Sequence, residues 1–351
     1  MIVYWSLVLW PALTSMFQPF SHRGKSKNTL MALFIVLFLF LSLRETGGDY
    51  STYLEFYEYI PGLPLSVVLT LGQEPGYALL NWLSSEAKLG IYGVNAACAL
   101  IFLFSLFTAA RKEADPLLYI TLAIPYFVIV VAMGYTRQGV AAGLILLSIV
   151  QFRYFKFKTG IILIIIASCF HVSAFVATGL LMIYKPENGG RFLILIKLIS
   201  LCILYYVVQE YLNDKISSYN TFYVEDDHYK SGGALLRSTV SGLAGLIFIF
   251  QYYKFKKLFD DFHIWRIFAV LAIAFVPLST VASTPIDRMG LYLIPFQITV
   301  FSRLPLVLLY KYSYASSKAL IIFGYLSYFF VWLHMGTYSA ELWIPYKWLF
   351  S

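Results

Sequence analysis

Eleven apolar runs of 14 to 24 residues constrain this chain more than any other feature. They lie at about 2–20, 29–43, 91–110, 117–134, 138–151, 161–184, 192–208, 238–253, 264–282, 289–310 and 319–335. An α-helix needs about 20 apolar residues to cross the roughly 30 Å hydrocarbon core of a bilayer. Of the 351 residues, 60% are apolar and 13% are charged, whereas an ordinary soluble domain carries about 25% charged residues. A soluble fold of this length could not hide so much apolar surface. Composition thus excludes a soluble enzyme, a secreted disulfide scaffold and a disordered tail. The expected fold is an all-α polytopic integral membrane protein with about 10–12 transmembrane helices. No repeat or low-complexity linker divides it, so residues 1–351 read as a single transmembrane domain.

The net charge of +8 would suggest nucleic acid in a soluble protein. Here Lys and Arg fall in short clusters between apolar runs, which fits the excess of basic residues on cytoplasmic loops. Arg23, Lys25 and Lys27 form one cluster, Arg153, Lys156 and Lys158 a second, Lys254, Lys256 and Lys257 a third, and Lys311 and Lys318 a fourth. The acidic loops, at about 44–90 and 209–237, are then external. The three cysteines, Cys98, Cys169 and Cys202, all sit in apolar runs and suggest neither disulfide nor zinc. Met1–Phe20 lacks a basic start and a cleavage site, so it reads as a first span.

Alternation between these anchors fails once. Two apolar runs separate the basic loop at 153–158 from the acidic loop at 209–237, and two full crossings would return the chain to the wrong side. Making 161–184 a hairpin of two half-spans, turning near Phe170–Ser173, restores the alternation. Such backbone is tolerated where protein or a wet cavity surrounds it. A single tilted span with a buried His171 is the alternative. The stretch 74–90 is too short and mixed to cross. It starts with Pro75, well placed at a helix N-terminus, and reads as an amphipathic helix on the external interface.

Charged groups within or beside spans are costly and usually face a partner or a wet cavity. On this topology Arg44, Asp49, Glu74, Arg137, His171, Arg237, Asp287 and Arg288 all fall at the external end, which suggests a one-sided cavity of cations and carboxylates. Arg137 stands at a break between runs. It is either an Arg snorkelling to the interface or a fixed fork suited to phosphate oxygens. Gln138 opens the next run, where a helix N-terminus adds donors toward an anion. Asp287 is either the ion-pair partner of Arg288 or a catalytic carboxylate. Arg237, after a small-residue stretch, is a third cation. Arg44 and Asp49 flank Gly47-Gly48, and Asp49 binds sugar hydroxyls, positions Arg44 or caps the helix Tyr50–Ile60. His171 titrates in a range useful for proton transfer. External Tyr50 and Tyr53 offer faces for sugar rings. The absence of an Asp-x-Asp cluster predicts a metal-independent site.

Several motifs occur together. Gly48-Asp49-Tyr50 with Tyr53 and Tyr57, then Glu74-Pro75-Gly76 with Leu79-Leu80-Asn81, resemble the first external loop of the EpsG/Wzy-type bacterial polysaccharide polymerases. Arg137-Gln138 with Ala141-Ala142 resembles that family's Arg-Gln-x-x-Ala element. Ala167 to Ala174 resembles its Ala-x-x-Phe-His-x-Ser-Ala element. Arg288 with Tyr292 resembles its late Arg-x-x-x-Tyr element. The resemblance covers about residues 40 to 300. It implies a membrane glycosyltransferase-type polymerase that joins undecaprenyl-diphosphate-linked repeat units into O-antigen, capsule or exopolysaccharide at the outer face of the inner membrane. No cofactor is implied, and a chain-length regulator is an expected partner. Under this reading Arg137 and Arg288 contact the diphosphate, with Arg44 and Arg237 as further cations. Asp49, Glu74, Asp287 or His171 orients or deprotonates the acceptor. A lipid-linked oligosaccharide flippase, an O-antigen ligase and a membrane O-acyltransferase are the alternatives.

Overall fold

The computed structural model describes residues 1–18, 26–179, 202 and 233–350. Among these residues the chain is helical and has no β-strand; one isolated antiparallel bridge joins Arg44 to Trp348. The main helices are α1 (Ile2–Phe17), α2 (Lys27–Ser42), α3 (Tyr50–Glu58), α4 (Pro75–Glu86), α5 (Gly90–Ala110), α6 (Pro116–Ala132), α7 (Thr136–Arg153), α8 (Phe157–Ser168), α9 (Ala234–Phe250), α10 (Phe262–Val281), α11 (Ser283–Val307) and α12 (Tyr314–Met335). Four described helices, α5, α10, α11 and α12, are long and apolar enough to cross a bilayer unaided. A fifth is added if α9 and the helix Tyr252–Leu258, bent by 79°, count as one span. Helices α1, α2, α6 and α8 are apolar but shorter. The fold is the expected all-α polytopic membrane type, with fewer full-length spans among the described residues than the apolar runs suggested.

The described chain divides into two compact units. The first comprises Met1–Leu147, Cys169–His171 and Ile298–Ser351, and the second Ser148–Ser168 and Val172–Gln297. In the first, α1 packs on α6 and α12, and α2 and α4 pack on α5. Helix α1 buries Tyr4, Leu7, Val8, Pro11, Ala12 and Ser15, one stripe at helical spacing. Helix α6 is opened by Pro116 and capped by the Asp115 carboxylate on the Leu118 amide at 3.0 Å. From Ile124 to Ala132 it widens into a π-helix that contains Pro125. Proline lacks an amide proton and clashes with the preceding turn, a local cause for the widening. Such segments are common beside functional sites, and this one leads directly into the break before Arg137.

Helix α4 confirms the amphipathic helix expected at 74–90 and shows which way it faces. Tyr77, Ala78, Asn81 and Ser84 are buried, while Leu79 and Leu83 are exposed. The polar side thus packs against protein and the leucines face outward, as suits a helix at a lipid interface.

In the second unit α9 and α10 form a close antiparallel pair. Ser238, Ser241, Gly242, Ala244 and Gly245 are buried, and Gly242 and Gly245 lie directly against α10. A Cβ on Gly245 would meet the Ala269 carbonyl oxygen at 2.7 Å. Small residues let helix backbones approach this closely in membranes. The run at 161–184 is interrupted: α8 stops at Ser168, and a 3-10 turn at Val172–Thr178 follows the non-helical residues 169–171. Twelve residues of α8 reach only about 18 Å. The break falls where the half-span hairpin was expected to turn. The return limb beyond 179, the run at 192–208 apart from residue 202, and the acidic loop as far as 232 lie outside the described residues.

Candidate functional site

The first unit gathers four sequence-predicted residues, Arg44, Asp49, Glu74 and Arg137, around two backbone breaks. The loop 44–49 is held on both sides by main-chain hydrogen bonds. Asp49 N donates to the Gly134 carbonyl at 3.0 Å, Gly47 N to Leu342 at 3.1 Å, and Glu45 N to Lys347 at 2.8 Å. Gly47 has φ +140°, where a side chain is strained, and a Cβ there would meet the Met133 carbonyl oxygen at 2.7 Å. The two glycines expected to bring backbone close to a ligand thus bring it first against the 133–136 break.

Arg137 opens α7, and its Nη1 donates to Gln73 Oε1 and to the carboxylate of Glu74. Its guanidinium carbon lies 5.6 Å from the Tyr53 ring centre and 5.9 Å from that of Tyr77, within the range of cation–π attraction. The Arg137 Nε is buried and makes no hydrogen bond, as does the Tyr77 hydroxyl. Burial pushes both phenols well above their ordinary pKa, and Asp49 adds to the effect at Tyr53. The rings beside Arg137 are therefore neutral at physiological pH. An interfacial Arg reaching for water would not be caged in this way.

Asp49 precedes α3, but its side chain makes no capping bond. Instead it accepts a hydrogen bond from the Tyr53 hydroxyl at 3.3 Å. The capping expectation is corrected, because one helical turn on from Asp49 a phenol reaches back to it. Gly76, next to the Glu74-Pro75 pair, donates to the Cys169 carbonyl at 2.7 Å, and a Cβ on Gly76 would meet that oxygen at 2.8 Å. This contact brings the Glu-Pro-Gly element against the break that carries His171. His171 is half-buried, and Gln138 is buried at the start of α7.

Arg44 lies deeper. It is 1% exposed and donates to the Thr46 carbonyl at 2.8 Å and to the Thr136 hydroxyl at 2.6 Å. Its guanidinium carbon stands 5.5 Å from the Tyr50 ring centre. Burial lowers its pKa from the ordinary arginine value.

The second unit holds a separate set. Arg237 grips Asp287 with a two-bond fork, Nε to Oδ1 at 2.5 Å and Nη2 to Oδ2 at 2.6 Å. The sequence offered Arg288 as the partner of Asp287, but the strong pair is with Arg237, 50 residues earlier. Arg288 is exposed. Ser173 and Tyr292 meet through their hydroxyls at 2.9 Å, joining the Phe-His-x-Ser element to the Arg-x-x-x-Tyr element.

Each unit thus brings together elements that the resemblance had only placed in order along the chain. A family model described as the EpsG family matches residues 27–348. The chain belongs to the EpsG family. The match spans both units, whereas no curated protein and no solved structure matches the chain. EpsG membership points to a polysaccharide-polymerase role. Together with the apolar helices it describes a multi-pass membrane protein.

Two features of this candidate site escaped sequence reasoning. Tyr77 sits one turn after Glu74 on α4, a spacing that puts both on one face, so it was findable. Trp343 was not. Its indole Nε1 donates to the Ile129 carbonyl in the π-helix at 3.0 Å. A Cβ on Gly134 would meet its ring at 2.3 Å, and one on Gly48 at 2.9 Å. Its backbone carbonyl accepts from the Tyr4 hydroxyl at 2.6 Å. Trp343 is therefore the wedge that sets the spacing of the loop 44–49 and the 133–136 break.

Proposed function

We propose that this protein joins undecaprenyl-diphosphate-linked repeat units into a surface polysaccharide at the outer face of the bacterial inner membrane. In such a transfer the acceptor hydroxyl oxygen bonds to the donor's anomeric carbon. The bond from that carbon to the diphosphate breaks, its electron pair leaves on the phosphate oxygen, and the hydroxyl proton passes to a base. The leaving group is a polyanion, so fixed cationic donors in a site of low dielectric lower the barrier.

The observation that carries this reading is the Arg137–Glu74 pair, with an unused Nε donor on an arginine that lies beside the Tyr53 and Tyr77 rings. An arriving diphosphate competes with Glu74 for the guanidinium fork. Glu74, once released, can orient or deprotonate the acceptor hydroxyl. Asp49 and His171 are the other candidates in the first unit, and Tyr50 and Tyr53 offer faces to sugar rings. In the second unit Arg288, Arg237 and Asp287 form a separate candidate set. Both the lipid carrier and a chain-length regulator belong to this proposal as partners.

The test is polymer length in cells that depend on this chain. Arg137→Ala leaves the protein in the membrane and collapses the polysaccharide ladder to single units, while Arg137→Lys restores it only in part because the two-bond fork is lost. A normal ladder in Arg137→Ala overturns the role of Arg137.

A further inference from the structure

One nitrogen of Arg137 serves two residues that are adjacent in sequence. Its Nη1 donates to the Gln73 amide oxygen at 2.5 Å and also to the carboxylate of Glu74. Consecutive side chains of an extended chain point to opposite sides, so meeting on one atom requires a turn. The chain bends at residues 71–73, and Gly72 has φ +81°, a conformation open to glycine and rare for other residues. Pro75 then fixes the start of α4. Both side chains are half-buried, and both end on Arg137.

The two acceptors differ in what an incoming anion does to them. Glu74 carries a charge, so a diphosphate competes with it for the guanidinium and repels it. The Gln73 amide is neutral and is not repelled. An arginine terminal nitrogen carries two hydrogens, so both bonds form at once and either can break alone. A single carboxylate partner would leave Arg137 unaimed once it was displaced. Two carboxylates would hold the cation too firmly to exchange.

We propose that Gln73 is a positioning residue that keeps Arg137 aimed while Glu74 gives up its place to the donor's diphosphate. The charged contact leaves, and the neutral one stays. This inference rests on the polymerase reading and on the part that Arg137 has in it.

Elongation by the full chain in liposomes is followed against the concentration of undecaprenyl-diphosphate-linked repeat units, with rates normalised to folded protein. Gln73→Met keeps the length of the side chain and removes the acceptor. It should lower kcat about 10–100-fold, the effect of one hydrogen bond to a charged group, and leave KM within about threefold. Gln73→Glu keeps an acceptor and adds a competing charge. It should hold kcat within about threefold and raise KM about tenfold. Loss of local structure alone would move both variants the same way. A wild-type kcat in Gln73→Met overturns the proposal. So does a wild-type KM in Gln73→Glu, or a kcat loss there as deep as in Gln73→Met. Should Gln73→Met not fold, the split in Gln73→Glu alone decides. If wild type elongates and the variants miss the split, only the role of Gln73 falls. If wild type does not elongate, the polymerase reading falls with it.

Discussion

Arg137 holds Glu74 across 63 residues of sequence, and its guanidinium lies beside the adjacent rings of Tyr53 and Tyr77. Both partners are about four-fifths buried, so the pair is neither a loose surface contact nor sealed in the core. This is the geometry of a pair that can exchange a partner. Reversing the two charges separates structure from chemistry. Arg137→Glu combined with Glu74→Arg keeps an opposite-charge pair and is expected to keep the protein at wild-type abundance, yet to abolish chain growth. Each single reversal lowers abundance as well. Immunoblots of the membrane fraction beside the polysaccharide ladder check both outcomes; a normal ladder in the double variant would mean the pair is only structural.

The wedge at Trp343 makes a steric prediction. Gly134→Ala places a methyl group where the indole ring lies, so it pushes the 133–136 break away from the loop 44–49 and shortens the polymer. Trp343→Phe gives up the bond to the Ile129 carbonyl but frees space. The double variant should make longer chains than Gly134→Ala alone. Additive losses would show that the two residues do not communicate.

The two-bond pair between Arg237 and Asp287 predicts non-additivity of the same kind. Arg237→Gln and Asp287→Asn each shorten the ladder, and the double variant is no worse than the stronger single. If Asp287→Asn is far more damaging than Arg237→Gln, then Asp287 does chemistry of its own.

Much of this architecture was legible in the sequence because bilayer thickness and helix rise fix the length of a span. The amphipathic helix at Pro75–Glu86 and the break after Ser168 followed from local apolar pattern and the alternation of sides. Arg44, Asp49, Glu74 and Arg137 do converge in one unit. The pairings were not legible. Arg137 with Glu74 and Arg237 with Asp287 depend on which breaks the helices bring together, and spacing carries no trace of that. Two further ion pairs were hidden for a different reason. Glu113 and Asp115 follow Arg111 and Lys112, so their charges cancel in any loop count, and Arg303 lies inside an apolar run. In the structure Arg303 makes a two-bond pair with Glu113 at 2.7 and 2.9 Å, and Asp115 accepts from Lys318 at 2.8 Å and from Tyr314 at 2.7 Å.

These two pairs predict a stability effect without a chemical one. Both members of each are buried, and removing one partner of a buried pair costs about 3–5 kcal/mol. Arg303→Met should lower the thermal midpoint sharply in detergent. Arg303→Met with Glu113→Leu should recover most of it, because no uncompensated charge remains. The ladder made per folded molecule should not change.

Elongation by the purified protein tests the polymerase reading most directly. The chain is reconstituted in liposomes with undecaprenyl-diphosphate-linked repeat units, and products are resolved by length. Wild type should convert single units into a ladder, and Arg137→Ala should do so about 10²–10³-fold more slowly, as when one donor to a developing oxyanion is removed. Movement of single units across the bilayer without any lengthening would contradict the polymerase reading and make the protein a transporter.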